Sequence, residues 1–122
     1  MQVEGITWHA VTLKGDAFDE TKKLVSDVLG LSPMFEQPGV SVFSTQNGTL
    51  LELYTPEGVP SYGYNGNVAF GFRVDDIEAA SQELADAGYE LLGEITRVEE
   101  MNYAYRHFKG PDGTVYGLNQ QK

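Results

Sequence analysis

The sequence predicts an α+β fold built from two tandem βαβββ modules, residues 1–58 and 66–122, joined by a linker over 59–65 within one 122-residue domain. Two observations predict it. The stretch NGTLLEL at residues 47–53 returns without a gap as DGTVYGL at 112–118. The elements around the two copies also recur in order, each module reading as a strand, a helix stopped by glycine (Gly30, then Gly88) and three further strands. A tight turn before an alternating strand occurs in any β-rich protein. The ordered recurrence of all the elements is what makes the repeat.

GITWHAVTL, at residues 5–13, is rich in β-branched and aromatic residues and breaks at Gly15-Asp16, which reads as a strand meeting a helix cap. A helix over 17–29 follows. Its apolar face is Phe18, Val25, Val28 and Leu29, with Asp19 and Glu20 in the first turn and Lys22 and Lys23 outward. PMFEQ, GVSVFST and TLLELYT supply three strands, split by Gly39 and by Asn47-Gly48, a strong hairpin signal. PEGVPSYGYNGN reads as a linker, with a lid as the less favoured alternative. VAFGFRV then opens the second module. Asp75 or Asp76 caps a helix with Ile77, Ala80, Leu84 and Ala87 on its apolar face, and YELLGEITRV, NYAYRHFK and GTVYGLNQ complete the strands.

Composition narrows the function. The chain has no cysteine, which removes disulfides, thiolate metal sites and a cysteine nucleophile. A net charge of −10 repels phosphate backbones and anionic lipid, so nucleic acid and membranes are not expected partners. Neither a signal peptide nor a spanning segment is legible, and a cytoplasmic protein is expected.

The stretches HAVTLKGD, SDVLGL, LLELYTP, FGFRVDDIEAASQELADAGYE and FKGPDGTVYGLNQ resemble the vicinal oxygen chelate superfamily, the group of glyoxalase I, bleomycin-resistance proteins and extradiol dioxygenases. That resemblance implies curved mixed sheets around one cavity, and homodimers. It also implies four ligand positions in metal-dependent members, which carry over to Ala10, Glu52, Ala69 and Gly117. Counting back from Asp16 would exchange Ala10 for His9, whereas strand alternation puts His9 on the helix side with Val11 and Leu13. Either way too few donors remain for a divalent metal. A member without metal or other cofactor is therefore expected.

Small residues at Ala10, Ala69, Gly71 and Gly117 suggest a wide cavity. Alternation places Ile6, Trp8, Leu50, Glu52, Tyr54, Tyr103, Tyr105 and His107 around it, with Ala69, Gly71 and Arg73 on the inward face of the fifth strand. Trp8, Glu52, Tyr54, Tyr103, Tyr105 and His107 are the expected ligand-binding residues, suited to a small aromatic metabolite or drug, as in antibiotic resistance by sequestration. Trp8 and the tyrosines suit a plain core equally well. Glu52, an acid between Leu51 and Leu53, demands more of its surroundings. A metal-free isomerase, cyclase or lyase with Glu52 as general base is the alternative, and a metal-dependent lyase or dioxygenase using His9 and His107 ranks below both.

Overall fold

The computed structural model describes residues 1–64 and 66–122. The expected linker over 59–65 includes Asn65, which lies outside the described residues. The elements are β1 (Val3–Thr12), α1 (Asp16–Lys23), β2 (Pro33–Gln37), β3 (Val40–Ser44), β4 (Leu50–Tyr54), β5 (Val68–Val74), α2 (Ile77–Asp86), β6 (Leu91–Val98), β7 (Tyr103–Lys109) and β8 (Val115–Gln121). The order is βαβββ twice, as the repeat predicts. Short turns at Leu24–Val28 and Glu99–Met101 add to it.

The strands pair as β2-β3-β4-β1 in the first half and β5-β8-β7-β6 in the second. In each half the first and last strands run parallel and the remaining pairs antiparallel. Two compact units result, residues 8–69 and residues 70–122 with 1–7. In the unit of residues 8–69, Phe18 and Val25 of the helix pack on Phe43 and Leu53, with Val11, Leu13, Leu31 and Leu51 around them. In the other, Ile77 and Ala80 of α2 pack on Val74, Ala104, Phe108 and Leu118. Residues 1–7 are tied to this second core. The Met1 ammonium meets Glu83 at 2.8 Å, and Thr7 Oγ1 donates to Asn119 Oδ1 at 3.1 Å.

The helix starts differ. Asp76 caps α2, its Oδ1 accepting from the amides of Glu78 and Ala79 at 3.1 Å. The corresponding cap of α1 is Gly15, with no side-chain cap, and Asp16 is already helical. Downstream, Leu24–Val28 widens into a π-helical turn in which Leu29 N–H bonds to the Leu24 carbonyl, five residues back, at 2.9 Å. A wider turn breaks the 3.6-residue spacing. Val28 and Leu29, expected on the buried face, are therefore exposed, at 74% and 60%. Ala87, Val68 and Ile6 are exposed as well: Ala87 has passed the last turn of α2, and the two strand residues stand near the starts of their strands.

The turn between β2 and β3 is locked against the exit of β4. Gly39 has φ 81°, its carbonyl accepts from Thr55 N–H at 3.0 Å, and Gly58 lies directly against it. A methyl at Gly58 would be driven into the Gly39 carbonyl. Gly58→Ala is expected to destabilise the protein by about 1–3 kcal/mol, read from urea denaturation midpoints.

Candidate functional site

Strand β4 sorts its side chains by alternation. Leu51 and Leu53 enter the helix-side core, while Leu50, Glu52 and Tyr54 take the opposite face. Parallel pairing sets Trp8 level with Leu50 and Ala10 level with Glu52, so Trp8 and Ala10 share that face. His9 takes the other, its Nδ1 lying 3.3 Å from the Leu50 carbonyl oxygen. Trp8, only 6% exposed, Ala10 and Ala69 form a second buried cluster with Leu50, Tyr54 and Tyr64 against it.

Tyr64 comes from the stretch read as linker. Its ring stands edge-on to Trp8 and to Tyr54, with centroids 5.6 Å away in both cases and planes at 71° and 81°. Tyr64 is not among the site residues that strand alternation picks out. Its signal was an aromatic side chain in a polar, glycine-rich stretch, where exposure is the ordinary outcome.

Glu52 is the polar centre of the cluster. Tyr54 Oη donates to Glu52 Oε1 at 2.6 Å, and the Trp8 side chain also hydrogen-bonds the carboxylate. Burial raises the Glu52 pKa above the ordinary carboxylate value, outweighing the downward pull of the Tyr54 and Trp8 hydrogen bonds. The Tyr54 hydroxyl is pushed far above its usual range, first by burial and then by the charge of Glu52, with contributions from Tyr64. Tyr54 thus remains a donor wherever the protein is folded. Glu52 is an acid held by neutral donors, able to take up and release a proton nearer neutrality than an exposed glutamate.

The strand register corrects the position carried over for the first strand. Gly71 is level with Gly117 as Ala10 is level with Glu52, and Glu52 matches Gly117 in the repeated phrase. Ala10 therefore matches Gly71, and the match for Ala69 is Trp8. The helix caps agree, for Trp8 is seven residues before Gly15 and Ala69 seven before Asp76. Neither His9 nor Ala10 corresponds to Ala69 in this register. Counting from Asp16 failed because Asp16 is not the cap. In this register the four positions implied by the resemblance would be Trp8, Glu52, Ala69 and Gly117, of which only Glu52 offers a metal donor. Among the described residues no three His, Asp or Glu side chains group as a metal would require. The donor set does not fit a divalent cation.

Tyr103, Tyr105 and His107 belong to the other compact unit. They line one face of β7 as a ladder, with neighbouring centroids 6.0 Å apart. Tyr105 is exposed, Tyr103 half-buried and His107 buried. Trp8, Glu52 and Tyr54 are thus brought together within the unit of residues 8–69, with Tyr64 added, and the β7 residues line up within the other unit. A groove of about 580 Å³ in the unit of residues 8–69 is lined by Phe18, Asp19, Lys22, Glu36 and Pro38 among others. It includes none of the expected site residues, and the Lys22–Glu36 ion pair, at 2.8 Å, stands in its wall.

Residues 8–116 match the sequence profile of the Glyoxalase/Bleomycin resistance protein/Dioxygenase superfamily. The chain belongs to that superfamily. No curated protein matches it. Among solved structures, superfamily folds similar to this chain include a member from Vibrio splendidus 12B01 (17% identity, TM-score 0.65, covering 96% of this chain and 100% of that one). A Mn(II)-bound glyoxalase from Novosphingobium aromaticivorans gives 19% identity and TM-score 0.75, over 98% of this chain and 39% of that chain. A methylmalonyl-CoA epimerase from Mycobacterium tuberculosis gives 16% and 0.67, over 98% and 89%. At such identities the likeness is one of fold. This superfamily member carries no helix, among its described residues, long and apolar enough to cross a membrane.

Burial pushes the His107 imidazole down to about 4. In the unfolded chain it takes a proton near pH 6.5, whereas in the folded chain it stays neutral until about pH 4. Acid therefore favours the unfolded state across that window, and stability falls as pH drops. This histidine is expected to cost about 2 kcal/mol between pH 7.5 and 5. The check is urea denaturation of wild type and His107→Gln at both pH values, with the variant losing that share of the slope.

Proposed function

We propose that this chain is a small-molecule-binding protein that sequesters a flat aromatic metabolite or drug without a metal, as a cytoplasmic homodimer. The observation that carries the reading is the state of Glu52. Its carboxylate is already held by the Trp8 and Tyr54 side chains, at a position that the resemblance to metal-dependent members implies as a ligand place. Trp8, Tyr54 and Tyr64 offer ring faces and edges for stacking, and Glu52 offers a hydrogen bond or a countercharge. Tyr103, Tyr105 and His107 add a second aromatic surface in the other unit. Superfamily membership supports a small organic ligand and a dimer.

A second reading, a metal-free isomerase, cyclase or lyase, is favoured by the raised pKa of Glu52 beside a permanent Tyr54 donor. Glu52 would then take a proton from carbon and Tyr54 would steady the charge that develops.

Because Trp8 is the only tryptophan, its fluorescence reports on the site directly. Native mass spectrometry of freshly purified protein is expected to show a metal-free dimer with an organic adduct, and re-addition of the released compound to quench Trp8. Glu52→Gln should retain that quenching within about tenfold for a neutral ligand, whereas a general base would lose nearly all turnover. Added Mn²⁺, Ni²⁺ or Zn²⁺ should leave the melting temperature unmoved. One stoichiometric metal ion per chain would overturn the proposal.

A further inference from the structure

Strands β5 and β8 carry a second polar pair that the Trp8 cluster does not use. Arg73 is level with Asn119, one step beyond the Gly71–Gly117 pair, and all four residues face the same way. Asn119 is 2% exposed. Thr7 donates to its Oδ1, which leaves the amide Nδ2 as the free end, and this nitrogen is buried with no acceptor among the described residues. Arg73 Nε is buried in the same condition. The other two arginines are provided for: Arg97 pairs with Glu78, and Arg106 Nε donates to the Gly93 carbonyl at 3.0 Å.

A buried donor without an acceptor destabilises a fold, and more so when it carries charge. Two of them level on neighbouring strands point to an acceptor that comes from outside the chain. Gly71 and Gly117 put no side chain over the neighbouring face. On β7, Tyr105 is level with Asn119 and His107 with Gly117, so two rings of the aromatic ladder stand beside the donors.

We propose that Arg73 and Asn119 form a carboxylate subsite, whose two orphaned N–H groups take the two oxygens of an aromatic carboxylic acid while Tyr105 and His107 receive its ring. A guanidinium and an amide present planar donors suited to a planar two-oxygen acceptor. The net charge of −10 does not oppose this at contact range, since exposed charges beyond about 8 Å are largely screened at physiological salt. The subsite stands independently of the reading of Trp8 and Glu52.

The test is titration of the isotope-labelled 122-residue chain with sodium benzoate, benzamide and inorganic phosphate, followed by NMR. Benzoate is expected to shift the Arg73 Nε–H and Asn119 side-chain amide resonances and to bind at least about tenfold more tightly than the other two. Arg73→Gln should weaken benzoate by a similar factor. Asn119→Asp keeps the oxygen that Thr7 holds and puts a second one in place of Nδ2, giving Arg73 an internal acceptor. That variant is expected to melt a few degrees higher and to lose benzoate binding, which keeps the test open if Arg73→Gln does not fold. Equal affinity for benzoate and benzamide overturns the proposal, as do unmoved Arg73 and Asn119 resonances or undiminished binding by Asn119→Asp. Phosphate binding as tight as benzoate overturns the assignment to an aromatic acid. Shifts confined to Trp8 would sink this subsite and leave the function proposed above standing.

Discussion

The parallel pairing of first and last strand in each half decides which way every side chain of interest points. It sets Ala10 beside Glu52 and Gly71 beside Gly117, and a slip of one residue would exchange the faces of a whole strand. The helices hold that register in place. Val11 and Leu13 must reach Phe18 and Val25, just as Phe72 and Val74 must reach the α2 side, and neither strand can turn these residues away without emptying a core. The polar and small residues then have only the opposite face left to them. Trp8 and Glu52 meet because the apolar residues between them are needed elsewhere.

On this shared frame the two halves have acquired opposite chemistry. The first keeps an acid and surrounds it with neutral donors, Tyr54 and the indole of Trp8. The second has glycine where the acid would stand, and two residues further along β8 it offers amide and guanidinium donors without an acceptor. Duplicated backbone thus supports one site rich in donors around an acceptor and another rich in donors alone. The recurring phrase records the backbone, and the exchange of Glu52 for Gly117 within its strand records the divergence.

Much of this could be read from the sequence. Asn47-Gly48 and Asp112-Gly113 mark turns because glycine adopts positive φ there, 82° and 87°, and alternation in LLELY separated Glu52 and Tyr54 from Leu51 and Leu53. These signals are local. The π-helical turn was not legible, since one added residue per turn leaves the composition of the helix unchanged and appears only as Val28 and Leu29 facing outward. The position of Trp8 was hidden because an acid near a helix start reads as its cap, whereas here a glycine without a side-chain bond fills that role. Tyr64 and the Arg73–Asn119 pair depend on contacts between distant parts of the chain. Thr7 orients an amide 112 residues away, which no window of sequence contains.

The division of β1 between the two compact units carries a consequence for synthesis. Residues 1–7 leave the ribosome before residues 8–69, yet the unit they complete is otherwise made of residues 70–122. Residues 8–69 can begin to condense while the chain is still growing, with the first seven residues left waiting. Joining the two ends is a contact of very long sequence separation, the kind that slows folding. Thr7 can meet Asn119 only once the whole of residues 8–69 and most of the second unit have been made, so the orientation of the Asn119 amide waits on the synthesis of β8.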